Sequence, residues 1–360
     1  MSKEDDDDII DRDAGSVRRL ALRSGLGFAI RGGAVLATSA SLPVLARPAL
    51  GRAYLDKPAA QGFLSELRQR HGFDASYLEA IFSRIHRDDR VIELITPKPP
   101  KLKPRWRDYR NGYVRGPRVD RGLVFWARHA DAVAAASRRF GVPEEILIAI
   151  IGVETIYGRY TGDFVVARTL ATLAFDYPPR AKFFRDELEQ FLIYVREAGI
   201  DPLSVRGSYA GAIGLPQFMP SSLRRYAVDF DGDSRIDLRH SPTDAIASVA
   251  HYLARHGWEP GTPPLAPAMV LPDARLDPLV ASGIKPLHSA ATLARQGVVL
   301  KSTWPSSASF AIIRLPNRQL PADHVVGTPN FYVITRYNRS SFYAMAVIEL
   351  ARRLRQERKA

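Results

Sequence analysis

Between Gln61 and Leu94, apolar residues at Phe63, Leu64 and Leu67, then Leu78, Ile81, Phe82 and Ile85, recur at helical spacing around His71-Gly72-Phe73 and predict a helical hairpin. Thr96 to Pro104 holds four prolines and three lysines, which stops a helix and marks a linker. A second helical block runs from Leu123 to Phe140 and ends at Gly141. Pro143 opens the next helix, with Glu144 and Glu145 in its first turn, where carboxylates complement the positive end of the helix dipole. From Ile146 to Gly152 every position is apolar or small, so this helix is buried on nearly all sides. Phe183 to Arg196 reads as an amphipathic helix closed by Gly199, and Ser340 to Arg355 as a last one. Residues 259–328 differ, with six prolines before residue 279 and short runs such as Phe310-Ala311-Ile312-Ile313, the mark of a small, partly β insertion. The chain carries neither an internal repeat nor a low-complexity tract, and its fold class is mainly α.

A hydrophobic content of 46% with 25% charged residues places the 360-residue chain among globular proteins with room for about two domains. The net charge of +13 favours polyanionic partners, among them nucleic acid, anionic lipid and peptidoglycan. The basic residues are scattered in pairs such as Arg138-Arg139, Arg224-Arg225 and Arg352-Arg353, without a basic helix or an aromatic ribonucleoprotein motif, which argues against a nucleic-acid partner. The absence of cysteine excludes disulfides, thiolate metal sites, a cysteine nucleophile and a lipoprotein anchor. Acidic residues Asp5 to Asp8 precede Ser16-Val17-Arg18-Arg19-Leu20, and a weakly apolar stretch follows from Leu26 to Leu50. That order resembles a twin-arginine export signal and predicts removal near Ala49-Leu50-Gly51 and a periplasmic location; a disordered tail on a cytosolic protein is the alternative. Residues 1–51 hold equal numbers of acidic and basic residues, so the +13 belongs to the remainder of the chain.

Chemistry concentrates at two places. Glu154 directly follows the apolar helix, where burial and the negative helix end both raise a carboxyl pKa, as protonation of a leaving-group oxygen requires. Taken alone, the same glutamate reads equally well as one reaching solvent at a fraying end. Downstream, Gly207-Ser208-Tyr209-Ala210-Gly211-Ala212-Ile213-Gly214-Leu215-Pro216-Gln217-Phe218-Met219-Pro220-Ser221-Ser222 mixes small, polar and aromatic residues. Its glycines permit close approach to a ligand, and Ser208 and Gln217 suit sugar hydroxyls or acetamido groups. An ordinary turn-rich loop, with Phe218 and Met219 filling the core, is the bland alternative.

A third stretch, Asp229-Phe-Asp231-Gly-Asp233-Ser-Arg235-Ile-Asp237, sets carboxylates at positions 1, 3, 5 and 9 of an EF-hand-like loop, with the Arg235 carbonyl at position 7. Oxygen ligands in that pattern suit a structural Ca²⁺, although Ser234 replaces the usual glycine and His240 the usual glutamate; a solvated acidic turn is the alternative. The eight histidines have no zinc-like pairing, since His251 and His256 are five apart, and neither a phosphate-binding glycine loop nor a Gly-x-Ser-x-Gly elbow occurs.

Glu154-Thr-Ile-Tyr157-Gly158, Ala171-Thr-Leu-Ala-Phe-Asp-Tyr177-Pro178, the Gly207 to Ser222 loop, Asn330-Phe-Tyr-Val-Ile-Thr-Arg-Tyr337-Asn338 and Tyr343-Ala-Met-Ala together resemble the lytic murein transglycosylase B family, from about Gln61 to Leu354. The resemblance implies a lysozyme-like catalytic core within residues 134–258. It implies a helical domain over 52–133 completed by 329–360, and the insertion over 259–328. It further implies cleavage of peptidoglycan glycan strands to 1,6-anhydromuramic ends without a catalytic cofactor, with other cell-wall enzymes as further partners. Carried over, the catalytic acid and base is Glu154, and sugar contacts fall on Tyr109, Ser208, Gln217, Phe218, Tyr252, Tyr337 and Asn338. The calcium ligands are then Asp229, Asp231, Asp233, Arg235 and Asp244, although Ser241-Pro242-Thr243-Asp244 also reads as a helix-capping box. Three departures bear on the subsites: Phe183 in place of a tyrosine, Tyr157 in place of a tryptophan, and Leu215-Pro216 in place of Tyr-Gly. Retaining and inverting hydrolases use two carboxylates, whereas a transglycosylase works with one, because the muramic C6 hydroxyl is the nucleophile. A goose-type lysozyme and a non-catalytic peptidoglycan scaffold are the rival readings.

Overall fold

The computed structural model describes residues 53–97 and 105–359. The expected export leader and most of the proline-rich linker lie outside them. The described residues divide into two compact units, one of 53–97 with 162–212 and one of 105–161 with 213–359. The expected boundary at 133/134 falls inside the helix Ala130–Phe140, and 162–212 groups with the N-terminal helices instead of with 213–258.

In the smaller unit the expected hairpin is three helices, Pro58–His71, Ala75–Phe82 and Asp89–Ile95. Gly72 ends the first in the left-handed conformation (φ 62°), and the Asp74 carboxylate caps the second by accepting the Tyr77 amide at 2.9 Å. The third exists because Asp88 interrupts the apolar pattern with a cap of its own. Its carboxylate accepts the Arg90 amide at 3.1 Å and both ends of the Arg90 guanidinium, at 3.0 and 2.6 Å. Val166–Asp176 and Ala181–Glu197 pack against each other and complete the core, with Phe63 6.3 Å from Phe82 and 5.8 Å from Phe175. Tyr54 is fully buried and donates to Asp176, whose carboxylate also takes the Lys57 ammonium at 2.8 Å. A two-stranded antiparallel pair, Phe164–Val165 with Arg206–Gly207, ties the unit's later segment together.

The larger unit is built around Glu144–Thr155, in which Ile146 to Val153 are all buried. Burial on all sides follows from its neighbours: Gly116–Arg128, Ala130–Phe140, Pro242–Arg255 and the C-terminal helix Ser341–Lys359 each pack on it. The helical block expected over Leu123–Phe140 is broken at His129, and Gly141 (φ 71°) closes its second half as expected. Glu144 accepts the Trp126 indole N–H at 2.9 Å and the Arg358 guanidinium at 2.9 Å, while Glu145 meets Arg355 at 3.2 Å. The two acidic residues of the first turn thus also fasten the last helix.

The insertion over 259–328 is partly β, as expected. Leu265–Ala266, Leu320–Gly327 and Ala311–Asn317 form a three-stranded antiparallel sheet in that order, with Ile312 opposite Val326. Ala268–Val270 pairs with Val298–Leu300, and Leu279, Leu293, Val298, Phe310 and Ile312 make a small separate core. Among the described residues no helix is long and apolar enough to cross a membrane.

Candidate active site

Glu154 lies in the last turn of the buried helix and is half-exposed, between the buried Val153 and Thr155. The helix stops abruptly behind it. Ile156 (φ 51°) and Tyr157 (φ 60°) both adopt left-handed backbone, which for a β-branched residue is a true outlier costing on the order of 1–3 kcal/mol. Side-chain bonds hold this end in place. The Thr155 hydroxyl accepts the Gly158 amide at 3.0 Å and lies 3.1 Å from the Leu215 carbonyl, and the Tyr160 amide donates to the Thr155 carbonyl at 3.0 Å. The Tyr157 ring fills a slot between two helices: a Cβ added at Gly122 or at Gly152 would stand 2.4 Å from its hydroxyl oxygen. Both positions therefore require glycine, and the chain turns two residues after Glu154 instead of fraying.

The Glu154 carboxylate accepts a hydrogen bond of 2.8 Å from the hydroxyl of Tyr343, on the C-terminal helix. Tyr343 is fully buried and lies parallel to Tyr337 at 6.3 Å between ring centroids. Tyr337 in turn donates to the Pro216 carbonyl at 2.6 Å, and Tyr252 donates to the Arg336 carbonyl at 2.8 Å. Phe218, Tyr252, Tyr337 and Asn338 are at most 1% exposed. In this conformation the three rings pack on one another and, through Tyr343, behind the glutamate, while Asn338 is buried with no side-chain hydrogen bond among the described residues.

Ile213 and Phe218 bond each other in both directions, at 2.8 and 3.1 Å, and close a tight turn over Gly214-Leu215-Pro216-Gln217. Gly214 (φ 75°) is needed there, because a Cβ would meet the Leu238 carbonyl oxygen at 2.3 Å. Gln217 also has left-handed backbone (φ 51°), and its amide nitrogen donates to the Gly214 and Thr161 carbonyls at 2.9 and 3.1 Å. Only its Oε1 is left to meet a sugar, as an acceptor. Ser208 belongs to the smaller unit, where its hydroxyl oxygen accepts the Ala212 amide at 3.0 Å and the Ala210 amide at 3.3 Å. Its proton stays available for donation.

Tyr109, half-buried, and Tyr113, buried, lie 4.8 Å apart between ring centroids on the helix Trp106–Tyr113. Burial pushes the Tyr109 phenol far above its ordinary pKa, and Tyr113 and the Glu154 charge push it further. Burial raises Tyr113 as well, opposed by the hydrogen bond from Tyr109 and by the Arg118 charge.

At the acidic loop, Asp229, Asp231 and Asp244 bring one carboxylate oxygen each within 4.8 Å of one another. Ser234 takes the left-handed conformation (φ 69°) usual for glycine at that position, and its amide donates to Asp229 at 2.9 Å. Asp244 is buried and accepts the Phe230 and Asp237 amides at 2.8 and 3.0 Å, so its carboxylate organises the loop while Ser241 caps the helix. Desolvation raises the Asp244 pKa. Asp233 accepts the Arg235 amide at 2.8 Å, and Asp237 turns to the His240 ring at 2.9 Å. Burial acts to raise Asp237, but hydrogen bonds from His240 and Arg239 outweigh it and hold its pKa low.

Tyr343, Tyr113, Arg118, Gly122 and Gly152 had no assigned role in the sequence. For the two glycines the available signal was their isolation inside helical patterns, since such glycines carry a packing reason, and for Tyr343 it was the Tyr343-Ala-Met-Ala motif.

The helical fold is shared, over most of this chain, with solved lytic transglycosylases. The soluble lytic transglycosylase SltB1 from Pseudomonas aeruginosa is 44% identical, with a TM-score of 0.78 covering 83% of this chain and 99% of that one. The Escherichia coli lytic transglycosylase Slt35, in complex with bulgecin A, is 39% identical with a TM-score of 0.78, covering 86% and 97%. The expected lysozyme-like, mainly α architecture is met. The transglycosylase SLT domain model matches residues 56–352, and this chain belongs to that family. In sequence it is 40% identical over 309 residues, 84% of each chain, to membrane-bound lytic murein transglycosylase B of Escherichia coli strain K12.

Proposed function

We propose that Glu154 is the single acid and base of a lytic transglycosylase that cleaves the bond between N-acetylmuramic acid and N-acetylglucosamine in peptidoglycan. The observation that carries this is the Tyr343 hydroxyl 2.8 Å from a glutamate fixed by the turn behind it. A catalytic carboxylate needs one rotamer and one address, and both are supplied before substrate arrives. Protonated Glu154 gives its proton to the glycosidic oxygen, and the N-acetylglucosamine end leaves with that proton. The 2-acetamido oxygen of muramic acid shares the positive charge on its anomeric carbon. The Glu154 carboxylate then takes the proton of the C6 hydroxyl, whose oxygen bonds to the anomeric carbon and closes the 1,6-anhydro ring. Atoms balance without water, cofactor or second carboxylate.

Tyr109, Ser208 and Gln217 serve as sugar contacts in this reading, with Phe218, Tyr252, Tyr337 and Asn338 shaping the wall that carries them. Asp229, Asp231 and Asp244 would hold a structural calcium ion, joined by Asp233 and the Arg235 carbonyl. The convergence of three carboxylates and the left-handed Ser234 fit that ion, and an Escherichia coli Slt35 structure is in complex with calcium. In this reading the catalytic segment is 134–258, of which 162–212 folds with the smaller unit. The enzyme acts in the periplasm after export, on glycan strands and beside other cell-wall enzymes.

The test is Glu154→Gln, which keeps the shape of the side chain and removes the transferable proton. Clearing of purified sacculi is expected to vanish while binding to them persists. Activity within tenfold of the parent would contradict the assignment.

A further inference from the structure

Arg118 lies in the first turn of Gly116–Arg128 in the larger unit. Arg110, Arg355 and Arg358 all face carboxylates, at 2.7, 3.2 and 2.9 Å. Arg118 is half-buried and, among the described residues, faces none. Its guanidinium lies over the Tyr113 ring, 4.7 Å from the centroid, and Nη1 makes one long contact of 3.4 Å with the Gly112 carbonyl. Among the described residues Nε and Nη2 have no partner, yet neither is sealed from solvent. Taking a guanidinium partly out of water without a counter-ion is costly, and burial here acts against its charge. Such a cost is sustained where a ligand supplies the missing anion.

Its surroundings say where that ligand sits. Arg118 stacks on Tyr113, whose ring lies 4.8 Å from that of Tyr109, and one turn further along its own helix Gly122 lies against the hydroxyl of Tyr157, three residues after Glu154. The cation thus borders both the tyrosine pair on the helix Trp106–Tyr113 and the turn that follows Glu154. Resting on the transglycosylase reading above, we propose that Arg118 binds a carboxylate borne by the muramic acid residue. Muramic acid differs from its partner sugar by a lactyl ether, which ends either in a free carboxylate or in a peptide with carboxylates of its own. A planar guanidinium with two free donors matches that group and has no equivalent on N-acetylglucosamine. Arg118 is then a specificity residue that tells the two sugars apart and sets the register of the strand on Glu154.

The experiment compares the parent, Arg118→Met and Arg118→Lys on three substrates. They are peptide-free glycan strands, the same strands with the lactyl carboxylate converted to its methylamide, and strands bearing peptides. The parent is expected to cleave a carboxylate-bearing substrate with kcat/KM about tenfold to a hundredfold above the amidated one, the range of a charged hydrogen-bonded pair. Arg118→Met should erase that preference mainly through KM while leaving the amidated substrate within about twofold, and Arg118→Lys should restore part of it. A preference on peptide-free strands places the carboxylate on the lactyl group; one confined to peptide-bearing strands places it on the peptide. Equal losses on all three substrates would show a prop for Tyr113 and overturn the proposal, as would no change at all. A parent that cleaves none of them defeats the transglycosylase reading itself.

Discussion

Tyr343 reaches across 189 residues of sequence to place its hydroxyl 2.8 Å from the Glu154 carboxylate. The bond joins the last helix of the chain to the end of its most buried one, so packing fixes the carboxylate. A hydrogen bond to a charged acceptor contributes about 1.5–3 kcal/mol. Tyr343→Phe is therefore expected to lower kcat about tenfold to a hundredfold with little change in KM or thermal midpoint. An unchanged kcat would show that the turn at Ile156 and Tyr157 orients Glu154 unaided.

The Asp88 cap predicts a pH dependence. The Arg90 guanidinium holds the Asp88 carboxyl below its ordinary range, against the pull of desolvation. A folded pKa below the unfolded value of 3.8 gives stability that is present above that pH and lost as pH falls through the folded value. Asp88→Asn keeps a capping side chain and removes the charge. It should cost up to about 1 kcal/mol near neutral pH, since Arg90 is well exposed and the pair is screened. The difference from the parent should close in strong acid; a gap that stays constant across the titration would contradict the linkage.

Calcium binding is expected to raise the thermal midpoint, because an ion held only by the folded state stabilises it by about 2.7 kcal/mol at a hundred times its Kd. Asp231→Asn should remove most of the gain by taking one charge from the three-carboxylate cluster. Identical melting curves with calcium and with chelator would reduce the loop to a solvated turn.

The sequence made the core legible where one local rule ruled a whole segment. The unbroken apolar run from Ile146 needs a helix enclosed on every side, and the structure encloses it with four others. Gly141 and Gly199 end their helices as single residues can, by adopting positive φ. Breaks set by polar caps were harder to see, as at Asp88, whose carboxylate starts a third helix where apolar spacing alone reads as a hairpin. The site was half legible. Glu154 stands out by following an apolar run, but no local rule places Ile156 in left-handed backbone, and that strain is sustained by Thr155, Leu215 and two distant glycines. Tyr343 belonged to a visible motif, yet its role depends on a contact that only the fold creates. Phe218, Tyr252 and Tyr337 were expected as sugar contacts from the family resemblance alone; no local pattern marks a ring as wall or as platform, because rings suit cores and sugars equally well.

The nature of the new chain ends tests the central claim most directly. Protein spanning residues 52–360 is incubated with purified peptidoglycan, and the fragments are reduced and weighed. Attack by the muramic C6 hydroxyl on its own anomeric carbon leaves an end lighter by one water, about 18 Da, that borohydride does not reduce. Single-carboxylate catalysis by Glu154 predicts that nearly all new ends are of this kind. Fragments ending mostly in reducible muramic acid would contradict it, and would require a second group that activates water.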